Sequence, residues 1–168
     1  LLFGVLVASL FTGLGLVVVR RQVGAVVGLL LTVLGQQVAF TQAKEVGWQV
    51  LAARPATAVR LSWLIAILQE SAWAVVGCAV LVLLYFPDGR LPSRRWRWVP
   101  VVLVATVAIA QVEGAWLDDP FLAPLQDVPR PFAPPPAAIG AVLLLSFIIM
   151  LITALVCAAA PIVRWRRA

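Results

Sequence analysis

The sequence predicts an all-α membrane protein, a polytopic transmembrane helical bundle of about five spans. Of its 168 residues, 63% are apolar and only 12% are charged, and the mean hydropathy is +1.04. Soluble domains are closer to ~45–50% apolar and ~25% charged. The apolar residues also come in runs long enough to cross a ~30 Å hydrocarbon core. We therefore treat residues 1–168 as a single transmembrane domain.

The first two predicted spans form an antiparallel hairpin. Residues 1–19 are apolar almost throughout and end at Arg20 and Arg21. These arginines follow the apolar run instead of preceding it, which argues against a cleavable signal peptide. The second span, residues 23–41, begins directly after them, so the turn must be very tight. The segment 24–28 has a glycine at each end, and we favour packing within the chain over a dimer contact as its use.

The middle of the chain contains a mixed segment and a long apolar one. Residues 42–60 combine charged and apolar side chains with Trp48, a pattern that favours a helix lying in the membrane interface. The third span covers residues 61–86. Its length implies a tilted helix or an end that projects from the hydrocarbon core. The fourth span covers residues 99–117.

Residues 118–136 differ from the rest because they hold seven of the twelve prolines. We expect them to form an extended, polyproline-like loop without regular structure. The fifth span, residues 137–163, ends in a basic cluster. Since the sequence starts at Leu1 instead of methionine and stops at Ala168 just after that cluster, we expect it to be a fragment of a longer chain.

Between the third and fourth spans lies a polar, basic hinge, residues 87–98. A Pro-Asp-Gly turn stops the preceding helix, and Ser93 is placed to cap the next one. Arginine-rich segments are costly to translocate, so we expect the hinge in the cytoplasm. The hinge and topology-anchoring residues are Pro87, Asp88, Gly89, Arg90, Arg94, Arg95 and Arg97.

The charges agree with one orientation of the chain. With the hinge inside, nine arginines and one aspartate lie on the cytoplasmic side, whereas the other side carries four cationic and four acidic residues. The positive-inside rule then predicts a multi-pass protein of the cell membrane, with Ala168 in the cytoplasm and loops 42–60 and 118–136 outside. Because the arginines stand beside tryptophans and apolar runs, the lipid bilayer is the expected partner and nucleic acid is not.

Polar side chains within the spans predict one layer near the outer face. They lie ~21–24 Å from the arginine-rich end on three helices, where ionisable groups are costly unless they pair or meet water. Two interpretations stay open. We favour ordinary hydrogen bonds between helices, and the other is an outward-facing cavity for a small amphiphilic or cationic signal. The layer comprises Gln36, Gln37, Gln69, Glu70, Gln111 and Glu113.

Several kinds of chemistry are missing from these residues. The absence of histidine excludes a phospho-accepting histidine, Ser-His-Asp catalysis and histidine metal sites within the chain. No phosphate-binding glycine loop is present. Cys78 and Cys157 stand alone in apolar runs, without the spacing of a metal site or disulfide framework. We expect no catalytic residue, metal or cofactor, so this fragment is not expected to be an enzyme.

The hinge carries a family resemblance. Residues 84–98, LYFPDGRLPSRRWRW, resemble the cytoplasmic loop of multi-helix N-terminal membrane regions in bacterial two-component sensor histidine kinases of the high-GC Gram-positive type. Residues 162–167, IVRWRR, resemble the exit from a later helix in those proteins. The resemblance covers these two stretches. It implies a sensory or anchoring bundle that passes a signal to a cytoplasmic kinase half outside these residues, with a homodimer formed through the full-length protein.

Two other classes of function remain as alternatives. A transporter or permease subunit would use the same polar layer for its substrate, and a polar stripe through the inner half of the bundle would favour it. A lipid-modifying membrane enzyme would act at the inner face, where Asp88 is the only acid.

Overall fold

The computed structural model describes residues 2–21, 24–69, 71–116, 120–132 and 137–165. Within these ranges all regular structure is helical, and five helical segments are long and apolar enough to cross a membrane. The predicted all-α bundle of about five spans is therefore confirmed. The α-helices are α1 (Leu2–Arg20), α2 (Ala25–Ala52), α3 (Pro55–Arg60), α4 (Ser62–Gln69), α5 (Ala72–Tyr85), α6 (Trp98–Gly114) and α7 (Ala137–Trp165).

Glycines allow α1 and α2 to pack closely as an antiparallel hairpin. A Cβ atom added at Gly28 would lie 2.7 Å from the carbonyl oxygen of Gly15, and one at Gly15 would lie 2.5 Å from that of Gly28. Further along the hairpin, a Cβ at Gly35 would lie 2.8 Å from the carbonyl oxygen of Ala8. Only hydrogen fits at these positions, so Gly28 packs within the chain.

Two turns meet at the arginine-rich end through glycines with positive φ. Gly24, before α2, has φ 68°, and Gly89, after α5, has φ 70°, a conformation that other residues rarely adopt. A Cβ at Gly24 would lie 2.9 Å from the Pro87 carbonyl oxygen. The Gly89 N–H donates to the Tyr85 carbonyl at 2.8 Å and closes the turn after α5. The close approach of Gly24 to the Pro87 carbonyl joins the α1–α2 turn to the hinge.

The second half of the hinge enters α6 without the expected cap. Ser93 has an extended backbone, with φ −162° and ψ 170°, and its side chain makes no capping hydrogen bond. Its carbonyl instead accepts the Trp96 N–H at 3.0 Å and opens a short 3-10 turn, Arg94–Arg97. Trp96 and Leu91 are half-buried against the core. The Ser93 carbonyl and the packing of Leu91 and Trp96, instead of a side-chain cap, therefore lead the chain into α6.

Helix α2 extends beyond the predicted second span. It continues to Ala52 and is about 42 Å long, so residues 42–52 belong to it and do not form a separate interfacial helix. The predicted end at residue 41 relied on the thickness of a bilayer, whereas a helix ends where its backbone must change. The backbone after α2 leaves the helical conformation at Arg54, which has φ −133° and ψ 70°. Arg54 precedes a proline, and a residue in that position is disfavoured in the helical region.

The third span, predicted over residues 61–86, corresponds to one segment long and apolar enough to cross a membrane, Ser62–Tyr85, whose helical hydrogen bonding is interrupted at Ser71. Helix α4 ends at Gln69 and α5 starts at Ala72. The Ser71 N–H donates to the Leu68 carbonyl at 3.2 Å, three residues back, which tightens the end of α4. At 1.5 Å per residue the interruption lies about 21 Å from Tyr85, inside a ~30 Å hydrocarbon core.

The described part of the proline-rich loop, residues 120–132, is folded into turns. Leu125 N–H donates to the Leu122 carbonyl at 3.0 Å, and Phe121 and Leu125 are only 2% and 1% exposed. The segment has no helix or strand, as expected, but the expected extended conformation is wrong here. Prolines prevent a helix, while the apolar side chains between them are buried in a cap cluster. The cap cluster comprises Trp48, Ala58, Ile65, Ala66, Ala115, Phe121 and Leu125.

A second cluster, the bundle core, joins α5, α6 and α7. Leu84, Leu103 and Cys157 have no exposed surface within it. Cys157 therefore fills apolar space, as its position in the sequence suggests, and both cysteines are free. The half-buried hinge residues Leu91 and Trp96 also pack on this cluster. The bundle core comprises Val80, Leu84, Leu103, Met150, Cys157 and Ala160.

The α1–α2 contact can be tested with two glycine variants of the same helix. Gly28→Ala should reduce the free energy of unfolding by about 1–3 kcal/mol, because the new methyl group overpacks the interface. Gly47→Ala is the matched control, since a Cβ there meets no atom within 4 Å. It should leave stability unchanged or raise it by up to about 1 kcal/mol through helix propensity. Unfolding in mixed micelles measures both, and equal effects would contradict the close contact.

Candidate functional site

Glu113, on α6, is a buried acid at the end of the bundle away from the arginine-rich hinge. We call this end, which also includes Lys44, Gln69 and Gln111, the polar end. The Glu113 side chain is 6% exposed, and its Oε2 atom accepts a hydrogen bond from the Ser146 hydroxyl of α7 at 3.0 Å. Ser146 is itself buried. Since a carboxylate without partners is costly in an apolar environment, this hydrogen bond ties the two helices together at the level of Glu113.

Two glutamines of the predicted layer hold α4 to its neighbours. The side-chain amide of Gln111, on α6, donates to the Ile67 carbonyl. The Gln69 side-chain oxygen accepts the Leu122 N–H of the folded loop at 3.4 Å. Gln111 also lines a groove of about 260 Å³ between α5 and α6, whose other lining residues are apolar or cysteine. These contacts link helices and loop, as hydrogen bonds between spans would.

The remaining members of the predicted layer are placed differently. Gln36 lies on the exposed face of α2, and Gln37 is half-buried. Neither side chain forms a hydrogen bond with another described residue. Glu70 lies outside the described residues. Gln69, Gln111 and Glu113 thus each contact a different neighbouring segment, and α2 reaches this end of the bundle through a different residue.

That residue is Lys44, the only lysine in the sequence. It is 9% exposed, and its ammonium donates to the carbonyl oxygens of Leu68 and Gln69, each at 3.1 Å, and to the Ser71 hydroxyl at 2.9 Å. The same ammonium lies 4.5 Å from the ring centroid of Trp48, within the range of a cation–π interaction. Lys44 thus binds the interrupted part of the third span.

Sequence reasoning missed Lys44 because it ended the second span at residue 41 and placed Lys44 in an external loop. One signal in the sequence pointed to a continued helix. Residues 42–52 contain mostly good helix formers and no proline, and the i, i+4 spacing of Lys44 and Trp48 puts both on one helix face. The interruption in the third span, which supplies the acceptors, has no comparable signal.

The cap cluster covers the same end of the bundle. Arg130 lies with its guanidinium carbon 4.1 Å from the Phe121 ring centroid, and the rings of Trp116 and Phe132 are 5.6 Å apart. Beneath it, the described polar side chains offer hydrogen bonds and buried charge, and one hydroxyl, that of Ser146, lies beside a carboxylate, that of Glu113. Among the described residues no group of three or more His, Cys, Asp and Glu side chains could hold a metal ion.

The predicted hinge residues lie at the opposite end. The turn residues Pro87 and Asp88 are exposed, as are the four arginines. The Arg97 guanidinium carbon lies 5.4 Å from the ring centroid of Trp98, which is 62% exposed. Exposed arginine beside exposed tryptophan is typical of the headgroup region of a bilayer. The hinge is therefore separate from the polar end.

A double-mutant cycle tests the contact between α6 and α7. Glu113→Gln, Ser146→Ala and the double variant should give a coupling energy of about 0.6 kcal/mol and no more than about 2 kcal/mol, the range for hydrogen bonds between membrane helices. Gln36→Leu, on the exposed face of α2, should change stability by less than about 0.5 kcal/mol. Additive effects of the Glu113 and Ser146 variants would contradict the hydrogen bond.

Comparisons with known proteins identify no relative. The chain matches no protein-family model, and no curated protein or solved structure is significantly similar to it. The function of the polar end therefore has to be argued from the contacts of its own residues.

Proposed function

We propose that this chain is the membrane-embedded sensory or anchoring domain of a two-component histidine kinase and that it passes a signal to a cytoplasmic kinase half. One observation carries the proposal. The buried polar side chains are concentrated at one end of the bundle, and six of the eight exposed arginines among the described residues lie at the other, with α5, α6 and α7 running between them. The resemblance of residues 84–98 and 162–167 to the membrane regions of such kinases supports the same function.

The relay would run along α6 and α7. Ser146, the partner of Glu113, and Trp165, at the end of α7, are about 28 Å apart along one helix. The bundle core packs α7 against α5 and α6 between Met150 and Ala160. A signal at the polar end that favoured a second packing of these helices would displace the arginine-rich ends, where the kinase half would be attached.

The orientation of the chain is part of this proposal and can be tested by cysteine labelling. A cysteine introduced at Ser93 should be protected from a membrane-impermeant maleimide in intact cells and react after permeabilisation. A cysteine at Gln126, which is exposed in the folded loop, should react in intact cells. Labelling of position 93 from outside would reverse the orientation and contradict the cytoplasmic kinase attachment.

An interrupted span is also a feature of one alternative, a transporter or permease subunit, but two observations weigh against that alternative. Broken membrane helices in transporters expose backbone carbonyls that coordinate ions or substrates near the midplane. Here the carbonyls of Leu68 and Gln69 accept hydrogen bonds from Lys44 of the same chain. Bundle-core residues rather than a polar stripe continue toward the arginine-rich end. These two features favour a sensing or anchoring role over a transport pathway.

Phosphorylation of the full-length protein in membrane vesicles tests the proposed function. With labelled ATP, we expect an acid-labile, alkali-stable phosphate on a histidine outside residues 1–168, and Glu113→Gln should change the extent of labelling because it removes the carboxylate at the polar end. Gln36→Leu is the matched control and should label like the parent protein. A coding sequence that ends at position 168, or vesicles that accumulate a solute without any phosphorylation, would contradict the kinase assignment.

A further inference from the structure

The acceptors around Lys44 form a cage with a defined chemical preference. Three oxygen atoms, from Leu68, Gln69 and Ser71, lie 2.9–3.1 Å from its nitrogen, and the Trp48 ring lies on another side at 4.5 Å. A primary ammonium has three N–H donors and a positive charge. Here the three oxygen atoms match the donors, and the Trp48 ring matches the charge. A quaternary ammonium has no donor. A neutral alcohol has no charge to place against the ring.

We propose that the interruption of the third span is a binding cage for a primary ammonium group, and that Lys44 is its tethered ligand in this chain. The proposal does not rest on the kinase assignment, because it concerns what the cage binds. It follows from the position of the acceptors. The Leu68 and Gln69 carbonyls belong to the last turn of α4, where i→i+4 partners end; the Leu68 carbonyl accepts the Ser71 N–H at 3.2 Å, and both carbonyls accept the Lys44 ammonium.

Covalent attachment explains why the cage is filled without an external ligand. Lys44 reaches it from α2, so binding is intramolecular and has a high effective concentration. Removing the side chain beyond Cβ deletes three methylene groups and the ammonium, which together correspond to n-propylammonium. The same position offers no comparable fit to a planar guanidinium, which presents its donors in a fixed fork.

The experiment uses Lys44→Ala in the full-length chain, reconstituted in lipid nanodiscs and melted while tryptophan fluorescence is recorded. The variant should lose several degrees of Tm because the Leu68 and Gln69 carbonyls lose the hydrogen bonds from the Lys44 ammonium. Added n-propylammonium chloride should restore most of that loss. Neither n-propanol, which has similar volume without charge, nor tetramethylammonium, which has charge without N–H donors, should restore it.

Two further samples separate a specific cage from general effects of amines. The parent protein should show no shift with n-propylammonium, because its cage is occupied. Glu45→Ala, an exposed position next in sequence, should keep the parent Tm and its insensitivity to the amine. If n-propanol rescues Lys44→Ala as well as n-propylammonium does, or if neither rescues it, the cage is overturned.

A second variant keeps the proposal testable if Lys44→Ala does not fold. Lys44→Met retains most of the side-chain volume without the charge, so it should melt below the parent protein and should not respond to n-propylammonium. A Lys44→Met protein as stable as the parent would overturn the proposal. Because Tm is measured without ATP, the cage and the kinase assignment can fail independently.

Discussion

One constraint organises the polar end: every backbone carbonyl inside a membrane needs a hydrogen-bond donor. An unpaired group in hydrocarbon costs several kcal/mol, which is why unbroken helices are the usual solution. The third span departs from that solution at Ser71, which lies in a turn. Lys44 compensates for the departure by presenting its ammonium to Leu68 and Gln69 from the long helix α2. The length of α2 and the position of α4 depend on each other through this contact.

The two ends of the bundle are stabilised in different ways. Helices α5, α6 and α7 meet in an apolar core that includes Leu84, Leu103 and Cys157, all fully buried. Helix α4 has only eight residues, and it receives hydrogen bonds from the side chains of Lys44 and Gln111 and, at its Gln69 side chain, from the Leu122 N–H. Polar contacts have alternative partners and can be exchanged at small cost, whereas a close-packed core changes in discrete steps. The two ends therefore differ in the kind of contact that holds their helices.

Sequence reasoning succeeded where one residue type determines the outcome. Long apolar runs defined the five spans, and the turn chemistry of Pro87 and Gly89 located the helix stop. It failed where the outcome depends on contacts between distant segments. The burial of Phe121 in the cap cluster, and the interruption that Lys44 fills, arise from packing between parts of the chain far apart in sequence. No local pattern encodes either feature.

The measurement that tests the central contact most directly uses the fact that Lys44 is the only lysine in these 168 residues. In bilayers, a polypeptide of residues 1–168 labelled with ¹⁵Nζ-lysine and backbone ¹³C-carbonyl glutamine gives a single ammonium signal. We predict strong dephasing of that signal by the Gln69 carbonyl carbon, since the nitrogen lies 3.1 Å from its oxygen. Gln69→Ala keeps the carbonyl but removes its label, and should abolish the dephasing. An ammonium signal with no carbonyl neighbour would contradict the account.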